Sequence, residues 1–100
     1  MLITLTRGVV APAQREQVES FLREFLPRLK REQPGALDAF HFHNEATNES
    51  TTIILWRDEK ARADYREGAL IKEAMAMEQR LGLTTSRDAY PVSISTRDES

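Results

Sequence analysis

The stretch Thr51-Thr52-Ile53-Ile54-Leu55-Trp56-Arg57-Asp58 decides how the whole chain is read. Its β-branched residues favour a strand over residues 51–57. Side chains alternate along a strand, so Thr52, Ile54 and Trp56 share one face and Thr51, Ile53 and Leu55 share the other. Both faces carry large apolar groups, which predicts a sheet covered on both sides. Asp58 then offers a side-chain acceptor for the first amides of a helix. That helix is expected to run to Leu81 and stop at Gly82, with a stripe of Ala61, Tyr65, Ile71, Ala74, Met75 and Met77 or Leu81. Gly68 weakens its middle, so two shorter helices are the alternative.

Reading back from this strand, the polar segment 44–50 forms a hairpin loop, and Ala36 to His43 forms the partner strand. Phe40 and Phe42 share one of its faces, His41 and His43 the other. The phenyl rings are expected beneath the helices. Upstream, Gln33-Pro34-Gly35 ends a helix that opens near Pro12. Its apolar positions Val18, Phe21, Leu22, Phe25, Leu26 and Leu29 recur every three or four residues. Pro27 lies inside this pattern and cannot donate to the carbonyl of Arg23, so a kink or break is expected there. Residues 2–7 read as the first strand, with Gly8 as a turn residue near its end. Residues 88–96 alternate weakly and make the last strand, where Pro91 predicts a sheet edge or a bulge. Residues 1–96 thus form one domain and residues 97–100 a loose tail.

The order β-α-β-β-α-β is the split arrangement of an α+β, ferredoxin-like fold: a four-stranded antiparallel sheet with both helices on one face. Ile53 and Leu55 then point to the bare face. Leaving apolar surface in water costs about 25 cal/mol per Å². Packing against a second copy removes that cost, so a homodimer through the sheet face is expected.

The 100 residues suit a single domain. Fourteen Lys and Arg against 16 Asp and Glu leave a net charge of −2, with the signs interspersed, which is no footprint for nucleic acid. No stretch has the 18 or so apolar residues of a membrane helix, so no membrane partner is expected. There is no cysteine, hence no disulfide, thiolate metal site or cysteine nucleophile. With no secretory signal read at the N-terminus, a cytoplasmic location is expected. The chain has no glycine-rich phosphate loop, nucleophile elbow or zinc-helix motif.

Three segments resemble the antibiotic biosynthesis monooxygenase-like family of the dimeric α+β barrel group. They are the strand and amphipathic helix of residues 3–32, the turn Gln33-Pro34-Gly35-Ala36-Leu37, and the junction Leu55-Trp56-Arg57-Asp58-Glu59-Lys60-Ala61. The resemblance implies a homodimer whose two sheets form a barrel, with a pocket between sheet and helices in each subunit. It further implies oxygenation of small aromatic or quinol-type compounds without metal or flavin, with Trp56 in the pocket. A haem-degrading branch also carries an asparagine on the first strand and a histidine on the second helix. This chain has Thr4 and Thr6 on the first strand, and the helix position falls at about Met75, so haem degradation is not expected.

The residues that could do chemistry are few. His41 and His43 project to one side, but two imidazoles are fewer than the three protein ligands of a catalytic zinc. Either one could serve as a general base for a phenolic substrate; otherwise both are hydrogen-bonded near a strand end. The reading taken forward assigns His43 and Tyr65 as catalytic and Trp56, Phe40, Phe42, Ile71 and Met75 as substrate-binding, with no cofactor and no metal. The expected partner is a hydrophobic or aromatic small molecule. The alternative is a non-catalytic binding or regulatory dimer that senses a small ligand with the same pocket or only with the dimer surface.

Overall fold

The computed structural model describes residues 1–98. Four strands make one antiparallel sheet: β1 (Leu2–Val9), β2 (Ala36–Asn44), β3 (Glu49–Trp56) and β4 (Thr85–Pro91), in the order β2-β3-β1-β4. The helices are α1 (Pro12–Glu32), α2 (Glu59–Glu67) and α3 (Ala69–Arg80). This is the expected ferredoxin-like α+β fold, with its second helix divided at Gly68. The Gly68 backbone is extended, so it both ends α2 and opens α3.

The strand boundaries move in ways the backbone explains. Gly8 lies inside β1 rather than in a turn, paired with Ser50 and Thr85. A side chain there would meet the Thr84 carbonyl oxygen at 2.8 Å, so the glycine permits the approach of β4. The last strand begins at Thr85 and ends at Pro91, not at Thr96. It is an edge strand, as Pro91 implied. The hairpin is tighter than residues 44–50: the Asn48 amide donates to the Asn44 carbonyl at 2.7 Å, with Asn48 at φ 61°. Asparagine tolerates that left-handed conformation well. Beyond β4, Thr96–Asp98 form a short 3₁₀ turn, and Arg97 pairs with Asp38 at 2.8 Å. This part of the expected tail is tied down; residues 99–100 lie outside the described residues.

Helix α1 runs unbroken through Pro27. Pro27 and Arg23 are both exposed, so water can satisfy the carbonyl that the proline leaves without a donor. The opposite stripe, Val18, Leu22, Phe25 and Leu29, is buried. It joins Leu2, Ile54, Trp56, Tyr65, Leu70, Ile71, Ala74 and Met77 in one core between the helices and one sheet face.

The other sheet face carries Ile3, Leu5, Val9, Phe40, Phe42, Ile53, Leu55 and Tyr90, by the register of the four strands. Phe40 and Phe42 are about half exposed there (55% and 53%). They therefore do not lie beneath the helices. A β-bulge between Ala36 and Asp38 is the reason. Ala36 opposes Trp56 on the helix side, but Asp38 opposes Leu55 on the bare side, so the extra residue Leu37 reverses the parity of everything after it.

A cavity between sheet and helices

A cavity of about 270 Å³ lies between the helices and the sheet. Its roof is apolar: Val18, Leu22, Phe25 and Leu26 from α1, and Ile71, Ala74 and Met77 from α3. Its floor is built by register. His41 of β2, Thr52 of β3, Thr6 of β1 and Arg87 of β4 are successive cross-strand neighbours, and all four line the cavity. This row spans three strand spacings, about 14 Å. A second polar row of Ser50, Gly8 and Thr85 lies on one side of it, and Ile54 with Thr4 on the other.

The imidazole end of the row is His41. Its Nδ1 is 2.9 Å from Thr52 Oγ1, while its Nε2 is enclosed with no hydrogen-bond partner. Burial depresses the His41 pKa below the usual histidine value; Glu19 opposes this, and His43 and Arg15 add to it. At neutral pH the ring is therefore uncharged. When Nδ1–H donates to Thr52, Nε2 carries the lone pair. His43 stands two residues further out and does not line the cavity. Its Nδ1 is 2.6 Å from Ser50 Oγ and its Nε2 3.3 Å from Asn48 Oδ1, so both nitrogens are engaged.

Tyr65 of α2 also lines the cavity and is buried. Desolvation pushes its phenol up to about 12, with Arg87 and Glu78 acting in opposite directions on it. It is thus a protonated hydrogen-bond donor at any ordinary pH. Its ring packs against Trp56 at a centroid distance of 5.2 Å. Trp56 is fully buried, and its indole N–H donates to Thr4 Oγ1 at 3.0 Å. The indole stands behind the wall and acts on the cavity through Thr4 and Tyr65. Asp58, two residues on from Trp56, accepts from the Ala61 amide at 2.9 Å and so starts α2 where it can present Tyr65.

Arg87 marks the far end. Arg87 makes a two-point contact with Glu78, at 2.6 and 3.0 Å, and Thr85 Oγ1 donates to the same carboxylate at 3.0 Å. Arg62 and Arg66 of α2 line the cavity too.

Of the residues assigned from sequence, Tyr65 and Ile71 line the cavity and Trp56 backs it. Phe40 and Phe42 lie on the opposite sheet face, and Met75 is 51% exposed on the outside of α3, where Met77 takes the inward place. Sequence reading missed Arg87 and the threonines of the floor. Among the described residues no cluster of three or more His, Asp or Glu could hold a metal ion. No helix among them is long and apolar enough to cross a membrane.

Comparison with solved structures places this architecture. A candidate antibiotic biosynthesis monooxygenase from Deinococcus radiodurans superposes with a TM-score of 0.83 at 12% identity, covering 95% of each chain. The chain has the fold of the antibiotic biosynthesis monooxygenase-like proteins. A second such candidate, from Nitrosomonas europaea, gives 0.79 at 13% identity over 94% of this chain and all of the other. A variant of SnoaB, a cofactor-independent oxygenase from Streptomyces nogalater, gives 0.67 at 21% identity over 94% of each. No protein-family model and no curated protein matches the chain.

Proposed function

We propose that this protein is a cofactor-independent monooxygenase of a small aromatic or quinol-type substrate. The observation that carries the reading is the cavity itself, an apolar chamber with a neutral imidazole and a protonated phenol in its wall. The naming of several structures with this fold as monooxygenases supports it.

The chemistry asks little of the protein. A substrate with an acidic C–H or phenol loses its proton to His41, which takes the role that sequence reading gave to His43. Tyr65 donates a hydrogen bond to the oxyanion that develops. The electron-rich carbanion reduces dioxygen, the pair combine as a hydroperoxide, and loss of water leaves a new carbonyl. One dioxygen is consumed, one of its oxygen atoms enters the product and the other leaves as water. His41 Nε2 is enclosed with no hydrogen-bond partner; catalytic contacts commonly tighten only when the substrate seats. The apolar roof excludes bulk water from the anion, and Trp56 fixes Tyr65 and Thr4 from behind.

The bare sheet face supports a homodimer as the working form. Phe40, Phe42, Tyr90 and Val9 are each about half exposed or more on that one surface. An apolar patch of this kind marks an interaction site.

The test is oxygen uptake with anthrone-like and quinol substrates. The wild type should consume one dioxygen per product, His41→Asn should lose roughly 10²-fold or more in kcat, and His43→Asn should keep most activity. No uptake across a broad panel rejects the oxygenase reading and leaves a ligand-binding dimer.

A further inference from the structure

The second polar row of the floor belongs to a chain of three side chains that oxygenation does not use. Ser50 and His43 are cross-strand neighbours, and Asn48 is the last residue of the turn between their strands. His43 Nδ1 lies 2.6 Å from Ser50 Oγ, and His43 Nε2 lies 3.3 Å from Asn48 Oδ1. An amide oxygen only accepts, so Nε2 carries the ring proton. Nδ1 then holds the lone pair, and the Ser50 hydroxyl donates to it. The turn fixes this order. The Asn48 amide donates to the Asn44 carbonyl at 2.7 Å, and the Val10 amide donates to the Asn48 carbonyl at 2.8 Å.

A hydroxyl, an imidazole that accepts its proton and an acceptor that sets the tautomer are the parts of an activated nucleophile. Their placement relative to the chamber is the second observation. Ser50 is buried and lines the chamber, whereas His43 does not. On its other side Ser50 faces Gly8, which has no side chain to stand over the hydroxyl. Thr6, diagonal to Ser50, also lines the chamber and brings a hydroxyl that can donate to an oxyanion. The apolar roof suits a short aliphatic body in a volume of about 270 Å³.

We propose that Ser50 is a nucleophile, with His43 as its base and Asn48 as the residue that positions the base, and that the chamber hydrolyses neutral esters of short aliphatic acids. Ser50 Oγ bonds to the ester carbonyl carbon while its proton passes to His43 Nδ1. The bond from that carbon to the alcohol oxygen breaks, and the alcohol leaves with the proton from His43. Water then attacks the acyl-serine, giving one proton to His43. That proton returns to Ser50 Oγ as the carboxylic acid departs. No oxidant is consumed, so this activity stands apart from the oxygenation assigned to His41.

Two probes test it. Hydrolysis of p-nitrophenyl butyrate is followed by nitrophenolate release without dioxygen. Diisopropyl fluorophosphate, which phosphorylates activated serines, is located by peptide mass spectrometry. The wild type should release nitrophenolate and take a single adduct, at Ser50. Ser50→Ala should take none, and His43→Asn should label roughly 10²-fold more slowly or worse. Asn48→Gly keeps the left-handed turn and removes only the amide oxygen. Its labelling should slow roughly tenfold or more with the urea midpoint little changed. Asn48→Asp, which keeps an acceptor for Nε2–H, should recover the lost rate. A wild type that takes no adduct, or takes it at another residue, overturns the proposal whatever the variants do. An adduct at Ser50 formed as fast in His43→Asn overturns the base, and equal rates in Asn48→Gly and Asn48→Asp overturn the role of Asn48.

Discussion

Gly35 sits against Ala61 so closely that a β-carbon on the glycine would overlap the alanine methyl. The contact joins the turn after α1 to the first turn of α2, and the Arg57 amide donates to the Gly35 carbonyl at 2.8 Å beside it. Two short motifs, Pro34-Gly35 and Trp56 to Ala61, thus meet in space. Each looks weak alone because its reason lies in the other.

Gly35→Ala should therefore destabilise the fold by about 1–3 kcal/mol, the usual cost of overpacking. Ala61→Gly in the same chain should restore part of that loss. A double-mutant cycle by urea unfolding measures the coupling.

Pro27→Ala should act in the opposite direction. It restores an amide in the middle of α1 at an exposed position and is expected to raise stability by about 2 kcal/mol, the helix gain less the extra freedom of the unfolded chain. A lower urea midpoint for the variant would show that the proline serves the native helix.

Stability should fall on acidification through His41. Burial holds its folded-state pKa below the unfolded value of 6.5. The unfolded chain therefore takes up the proton first. This contribution is complete above the unfolded value and is lost as pH falls from there toward the folded one. The urea midpoint between about pH 8 and pH 5 should drop less in His41→Asn than in the wild type. Titration of the His41 ring by NMR should show a midpoint below 6.5.

Phe42→Arg should keep the fold and abolish self-association. Its ring is about half exposed on the face away from the cavity, and a charge there can stay in water only if that face is uncovered. Sedimentation should show a dimer for the wild type and a monomer for the variant. A monomeric wild type would refute the pairing.

Much of the fold was legible because periodicity reports burial directly. The α1 stripe and the two-faced strand around Ile53 and Ile54 place themselves. So does the Gly68 break, since glycine costs a helix interior about 1 kcal/mol. Pro27 misleads because its cost depends on which face of α1 it occupies, and that is a tertiary fact. The site was read less well. Alternation shows that Phe40 and Phe42 oppose His41 and His43, but not which pair faces inward. That choice is made by an extra residue in β2 that has no sequence signature of its own. Met75 and Met77 differ by two helix positions, enough to put one outside and one inside. Arg87 falls just before residues 88–96, where the last strand was expected, so its place in one row with His41 could not be seen until the register was known.

The Leu37 bulge has a wider consequence. Both surfaces of β2 are allotted by that one residue: imidazoles to the helix side, where His41 lines the chamber, and phenyl rings to the outer face. Removing Leu37 would turn the strand over from Asp38 onward. The imidazoles and the phenyl rings would exchange faces in one step. Whatever the chamber does and whatever the outer face meets are therefore not separately adjustable in this strand; a single indel sets or spoils both.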